Sequence, residues 1–155
     1  MSELSFIITT DTCCDLPQSY IKDNGLEVVT LYYNMKGVAY GGEIQLEVKE
    51  FYDMMRGGEM PTTMAANPDE LREMFEKHLK EGKDILHLAF SSELSSSYNN
   101  AATVARDLNE EYTDNKVVVI DTLSASLGQG LVVHKAVQLR KEDKTLEETA
   151  NWIEE

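Results

Sequence analysis

The chain has 155 residues, the size of one domain with a sizeable core, and its 42% hydrophobic and 8% aromatic content is enough to fold. Fourteen basic against 28 acidic residues leave a net charge of −14, which argues against nucleic acid and anionic membrane surfaces as partners. Cys13 and Cys14 are adjacent, which excludes a disulfide framework, and no apolar run approaches the ~20 residues of a membrane span. A reducing cytoplasm is the expected compartment.

In chain order, residues 5–10 (SFIITT) read as a buried strand that runs into Thr10-Asp11-Thr12-Cys13-Cys14-Asp15. A second strand is expected over 27–33 (EVVTLYY), and the Gly-rich stretch 33–42 suggests a hairpin or edge strand. Pro61-Thr62-Thr63 is a hydroxyl turn ahead of Asn67-Pro68-Asp69-Glu70, where an Asn cap, a first-turn Pro and two acids predict a helix start. Leu71, Met74, Phe75 and Leu79 continue it at helical spacing, and Gly82 marks its stop.

A third strand over 84–90 (DILHLAF) leads into Ser91-Ser92-Glu93-Leu94-Ser95-Ser96-Ser97. The helix that follows carries Tyr98, Ala101, Ala102, Ala105 and Leu108 on one face. A fourth strand, 116–120 (KVVVI), leads into Asp121-Thr122-Leu123-Ser124-Ala125-Ser126 and a helix from about Ser124 to Lys141. Gly128 and Gly130 inside that helix suggest close packing. The charged segment 140–144 reads as a solvated loop or a hinge. Thr145-Leu146-Glu147-Glu148 has capping-box spacing and opens a last helix with Trp152 and Ile153. Strands alternating with helices predict an α/β domain: a mostly parallel sheet with helices on both faces.

Ligands of such sheets bind outside the carboxyl ends of the strands. Three of the four strands enter hydroxyl- or acid-rich turns there. Ser95-Ser96-Ser97 stands where a helix begins, so free amides, the helix dipole and hydroxyl donors suit a small anion. Helix capping alone is the competing account of these serines. Catalysis has weaker support: His87 lies in a strand, His78 and His134 in helices, and there is no Gly-x-Ser-x-Gly elbow, Cys-x-x-Cys pair or Gly-rich phosphate loop. Met60 and Met64 flank Thr62-Thr63 and suit an apolar lining, although most of the methionines are expected in the core. Two alternatives stay open. One is a small enzyme acting on a phosphorylated or carboxylated metabolite through Asp11, Asp121 or Cys13. The other is a structural or assembly domain.

At these same residues the sequence resembles the DegV family of bacterial fatty-acid-binding proteins. The resemblance covers the whole chain: the opening strand into Asp11-Thr12 with Asp15-Leu16, Pro61-Thr62-Thr63, the serine-rich block ending in Tyr98, and Asp121-Thr122 to Ser126-Leu127-Gly128. It implies a Rossmann-like three-layer lobe, the amino-terminal half of a two-domain protein that holds one long-chain fatty acid. Residues 1–155 would form that lobe, with 142–155 the start of the interdomain region. The carboxylate would sit on hydroxyls and amides of Thr62, Thr63, Ser95 and Ser96, with Ser126 a further candidate. The resemblance also implies a non-catalytic carrier, with no cofactor, that presents its acid to a separate fatty acid kinase. A lobe on its own would expose an apolar face, with self-association or weakened ligand binding expected. Ser96 replaces a family Gly and Ser97 a Thr. Met64 and Ala65 stand where the family has a polar residue and Pro, and Cys13 and Cys14 stand where it commonly has serines.

Overall fold

A computed structural model describes residues 4–155. Four strands, β1 (Ile7–Asp11), β2 (Glu27–Val29), β6 (Ile85–Ala89) and β7 (Val117–Asp121), form a parallel sheet in the order β2-β1-β6-β7. Ile7 lies level with Ile85, which lies level with Val117. Side chains alternate across the pleat. Ile7, Val29, Ile85 and Val117 pack with α3 (Pro68–Lys80) and α4 (Ser97–Glu111). Phe6, Ile8, Leu86, Leu88 and Ile120 pack with α5 (Ser126–Lys141) and α6 (Leu146–Glu154). The expected α/β sandwich is therefore present, with β1 and β6 buried throughout and β2 and β7 at the edges.

The helix signals hold locally. The Asn67 side chain accepts from the Asp69 and Glu70 amides, and Thr145 and Glu148 form a complete capping box. Arg140 is buried and donates to the carbonyls of Phe6 and Asn24, so the start of the 140–144 segment is anchored to the sheet and to α1 (Gln18–Asp23).

Two expectations need correction. The run 27–33 is not one strand: β2 ends at Val29, and Tyr33 opens β3 (Tyr33–Met35) of a separate antiparallel sheet. The Thr12 hydroxyl takes the Leu31 amide and the Tyr32 carbonyl takes the Met64 amide, so these groups turn away from the parallel ladder. Thr62–Thr63 is not a turn but β5, a short strand against β3, which pairs on its other edge with β4 (Val38–Tyr40). The β3–β4 hairpin matches the expectation for 33–42, with Lys36 and Gly37 both at positive φ in its turn. Two helices lie outside the sequence expectations: the short α1, and α2 (Val48–Arg56), whose Val48, Phe51, Tyr52 and Met55 repeat at helical spacing; neither buries a residue fully. The methionines divide: Met35 and Met74 are core, whereas Met55, Met60 and Met64 are exposed. No helix among the described residues is long and apolar enough to cross a membrane.

Candidate ligand site at the carboxyl edge of the sheet

The loops after β1, β6 and β7 are locked together by two aspartates. Asp11 is buried; its carboxylate accepts the Phe90 amide at 2.9 Å, the Cys13 amide at 3.0 Å and the Gln129 side-chain amide at 3.0 Å. Burial raises its pKa, against the lowering effect of those three bonds. The Asp121 carboxylate accepts the Ser92 and Leu123 amides, each at 3.1 Å. Burial works upward on its pKa, but the bonds from Ser92 and Leu123 together outweigh it and hold the pKa below the usual value. Ser91 N–H to the Ser124 carbonyl closes the same seam at 3.1 Å. Asp11 thus takes three amide bonds across both oxygens and Asp121 two backbone amides on one, and these bonds act as structural ties. Cys13 is partly buried, and burial, followed by the Asp11 and Asp15 charges, pushes its thiol up to about 11.

The serine block divides by role. Ser97 is buried, and its hydroxyl takes the Ala66 amide at 3.0 Å, while Asn100 donates to the Ala66 carbonyl at 2.9 Å. This clamp holds the chain three residues beyond Thr63 against the first turn of α4. Ser95 and Ser96 are thereby brought to the same corner of the molecule as β5. Ser95 is half-buried, and its Oγ takes the Ser97 amide at 3.1 Å. Capping is therefore part of what Ser95 does. Ser96, the formal cap, makes no side-chain cap bond and is exposed. Its φ is −77°, so Ser in place of Gly carries no backbone strain there. Tyr98 and Asn99 lie in the first turn of α4, where backbone amides have no intrahelical acceptors. Thr62 and Thr63 are both exposed.

Ser126 lies elsewhere on this edge. It has a left-handed φ of 53°, and its hydroxyl donates to Asp15 at 2.6 Å, beside the loop after β1. Leu123, in the same β7–α5 connection, is also left-handed at 48°. Two non-glycine residues in this region within four positions mark a connection held in shape by its surroundings.

Exposed apolar side chains belong to the same connections and to the helices that follow them. Leu94, Leu123, Leu127 and Leu131 are each more than half exposed, and Met60 and Met64 flank β5. Segments 61–66, 91–97 and 122–127 contain no Lys or Arg, so the donors they offer an anion are amides, hydroxyls and a helix dipole, with the exposed Glu93 the one acid among them. Ser97, which the sequence offers only as one of three serines at a helix start, is here the clamp, and two residues have no such sequence signal: Asn100, its partner in the clamp, and Gln129, a buried amide joining Thr10 and Asp11. Gln129 left one trace, a polar residue next to Gly130 on a helix face that had to be packed.

Residues 5–155 match the model of a family described as uncharacterised proteins of the DegV family. The chain belongs to the DegV family. A DegV domain-containing protein of Clostridium perfringens is 40% identical over 152 residues, which are 97% of this chain and 52% of that protein. A DegV family protein from Thermus thermophilus, solved as a fatty-acid-binding protein, superimposes with a TM-score of 0.87 at 30% identity, over 97% of this chain and 52% of that one. A DegV family protein from Ruminococcus gnavus, refined with vaccenic acid, gives a TM-score of 0.84 at 25% identity, over 98% of this chain and 54% of that one. The chain thus spans about half the length of these DegV relatives.

Proposed function

We propose that this chain is the amino-terminal lobe of a cytoplasmic bacterial fatty-acid carrier. Thr62, Thr63, Ser95 and Ser96 hold the carboxylate of one long-chain fatty acid, and Ser126 joins them if its hydroxyl leaves Asp15. The acyl chain lies along the exposed leucines and methionines, under the remaining half of the protein. A separate fatty acid kinase then receives the acid; the carrier performs no chemistry and needs no cofactor. The observation that carries this is the Ser97–Ala66–Asn100 clamp. It ties the segment that follows β5 to the first turn of α4, and it sits in a fold whose relatives from Thermus thermophilus and Ruminococcus gnavus are described with fatty acids.

The test is solvent extraction and mass spectrometry of the protein purified at its full natural length, with thermal melting before and after delipidation. About one fatty acid per protein is expected, along with a rise in melting temperature when the acid is restored. Absence of both lipid and rise would remove the proposal. Turnover abolished by Asp11→Asn in a lipid-free protein would favour a metabolite enzyme instead.

A further inference from the structure

A serine hydroxyl has one hydrogen to give and two lone pairs to offer. At Ser97 the directions can be assigned from the neighbours. The Ala66 N–H can only donate, so Ser97 Oγ is the acceptor of that 3.0 Å bond. The Ser97 hydrogen then needs an acceptor at a position only 1% exposed. Ser95 Oγ, 2.9 Å away, is the acceptor available to it among the described residues. The opposite direction would leave the Ser97 hydrogen without a partner in a dry site, which is the costly arrangement. Ser95 Oγ therefore receives both the Ser97 N–H and the Ser97 O–H. Its lone pairs are filled, and its own hydrogen is left over, on a half-buried residue.

We infer that Ser97 is a specificity-determining positioning residue: it fixes the direction of hydrogen bonding so that Ser95 presents a hydrogen, and never a lone pair, to the ligand headgroup. This rests on the carrier reading of the same site and sharpens it. A carboxylate only accepts hydrogen bonds and fits such a donor. An ammonium headgroup only donates and finds no free lone pair on Ser95, although a chain of net charge −14 attracts cations at long range. Selection for the anion is thus built locally, against the global field, by a residue that does not itself touch the ligand.

Two measurements test this. Neutron diffraction from deuterium-exchanged crystals of the unmodified protein should show the Ser97 deuteron directed at Ser95 Oγ and the Ser95 deuteron directed away from Ser97. A Ser95 deuteron directed at Ser97 overturns the inference without reference to any ligand. Competition between hexadecanoate and hexadecylammonium at about pH 8 reads the consequence. Ser97→Ala frees a lone pair on Ser95 and should lower the carboxylate preference by about tenfold, chiefly by improved binding of the amine, whereas Ser97→Thr should keep it. An unchanged ratio in folded Ser97→Ala overturns the specificity role. If the neutron map is as expected but no variant binds hexadecanoate, the carrier reading fails and Ser97 is a structural clamp alone.

Discussion

Cys13 lies two residues past the end of an acid-bearing strand, in the setting where a nucleophilic thiol would be most useful, yet its surroundings disarm it. Reactivity belongs to the thiolate. Burial withdraws solvent from that charge, and Asp11, Asp15 and Cys14 add repulsion, so the thiol rises to about 11 from 9.0. That shift lowers the thiolate fraction at neutral pH by about 100-fold. Alkylation by iodoacetamide at about pH 8 should accordingly run about 100-fold slower than for an ordinary exposed cysteine, with a rate that climbs until pH approaches 11. A rate like that of a free thiol would restore Cys13 as a candidate nucleophile. Asp11 is constrained in another way: all three of its contacts come from amide donors, and they hold β1, the loop after β6 and α5 in register.

Among elements, α5 shows most directly how the site's edge is fixed. Gly130 faces the 3-10 turn Thr12–Cys14, and a Cβ built there would come within 2.6 Å of the Cys14 carbonyl oxygen and 3.2 Å of Leu16. Backbone cannot move aside as a side-chain tip can. Gly130→Ala should therefore destabilise the protein by about 1–3 kcal/mol, despite the better helix propensity of Ala. Gly128, two residues earlier, meets only Ser124 Cβ at 3.8 Å, an ordinary contact. Gly128→Ala should be neutral or stabilising by up to about 1 kcal/mol. Urea unfolding of the pair checks both signs, and equal behaviour would mean that helix propensity, not packing, governs this helix. The two glycines look alike in sequence; only the partner surface distinguishes them. The same holds across the fold. Caps at Asn67 and Thr145 and the four parallel strands were legible because local bonds and apolar runs determine them. The break of the 27–33 run and β5 were not, because long-range partners such as Thr12 and Tyr32 decide them. Of the residues proposed for the site, Ser95 and Ser96 stand out in the sequence as hydroxyls after a strand, and Thr62 and Thr63 as hydroxyls ahead of a helix. The clamp by Ser97 and Asn100 depends on a backbone group thirty-one residues from Ser97 and left no local pattern.

For the whole molecule, pH acts on stability through the centre of the sheet. His87 sits in β6, 1% exposed, between Thr9, whose hydroxyl lies 2.8 Å from its Nδ1, and the edge-on ring of Phe75. Burial alone drives its pKa down from 6.5 to about 3. The unfolded chain then binds a proton that the folded chain refuses, so stability rises with pH between those values and is lost as pH falls through them. The loss begins near pH 6.5 and amounts to about 2 kcal/mol between pH 7 and pH 5 for one such group, independent of how far below 5 the folded value lies. Carboxylates of ordinary pKa take up their protons mainly below this window, where protonation also relieves self-repulsion in a chain of net charge −14. Asp11, whose pKa burial raises, acts with the opposite sign, so the share of the acid limb that belongs to His87 is what replacing the imidazole removes. Urea unfolding from pH 7 to pH 5 should show an uptake of close to one proton attributable to this residue. His87→Gln, neutral and able to bond Thr9, should flatten that slope even if it lowers stability at pH 7. An unaltered slope in the variant would mean that the proton is taken up elsewhere and that the imidazole at the centre of the sheet does not set the acid sensitivity of the fold.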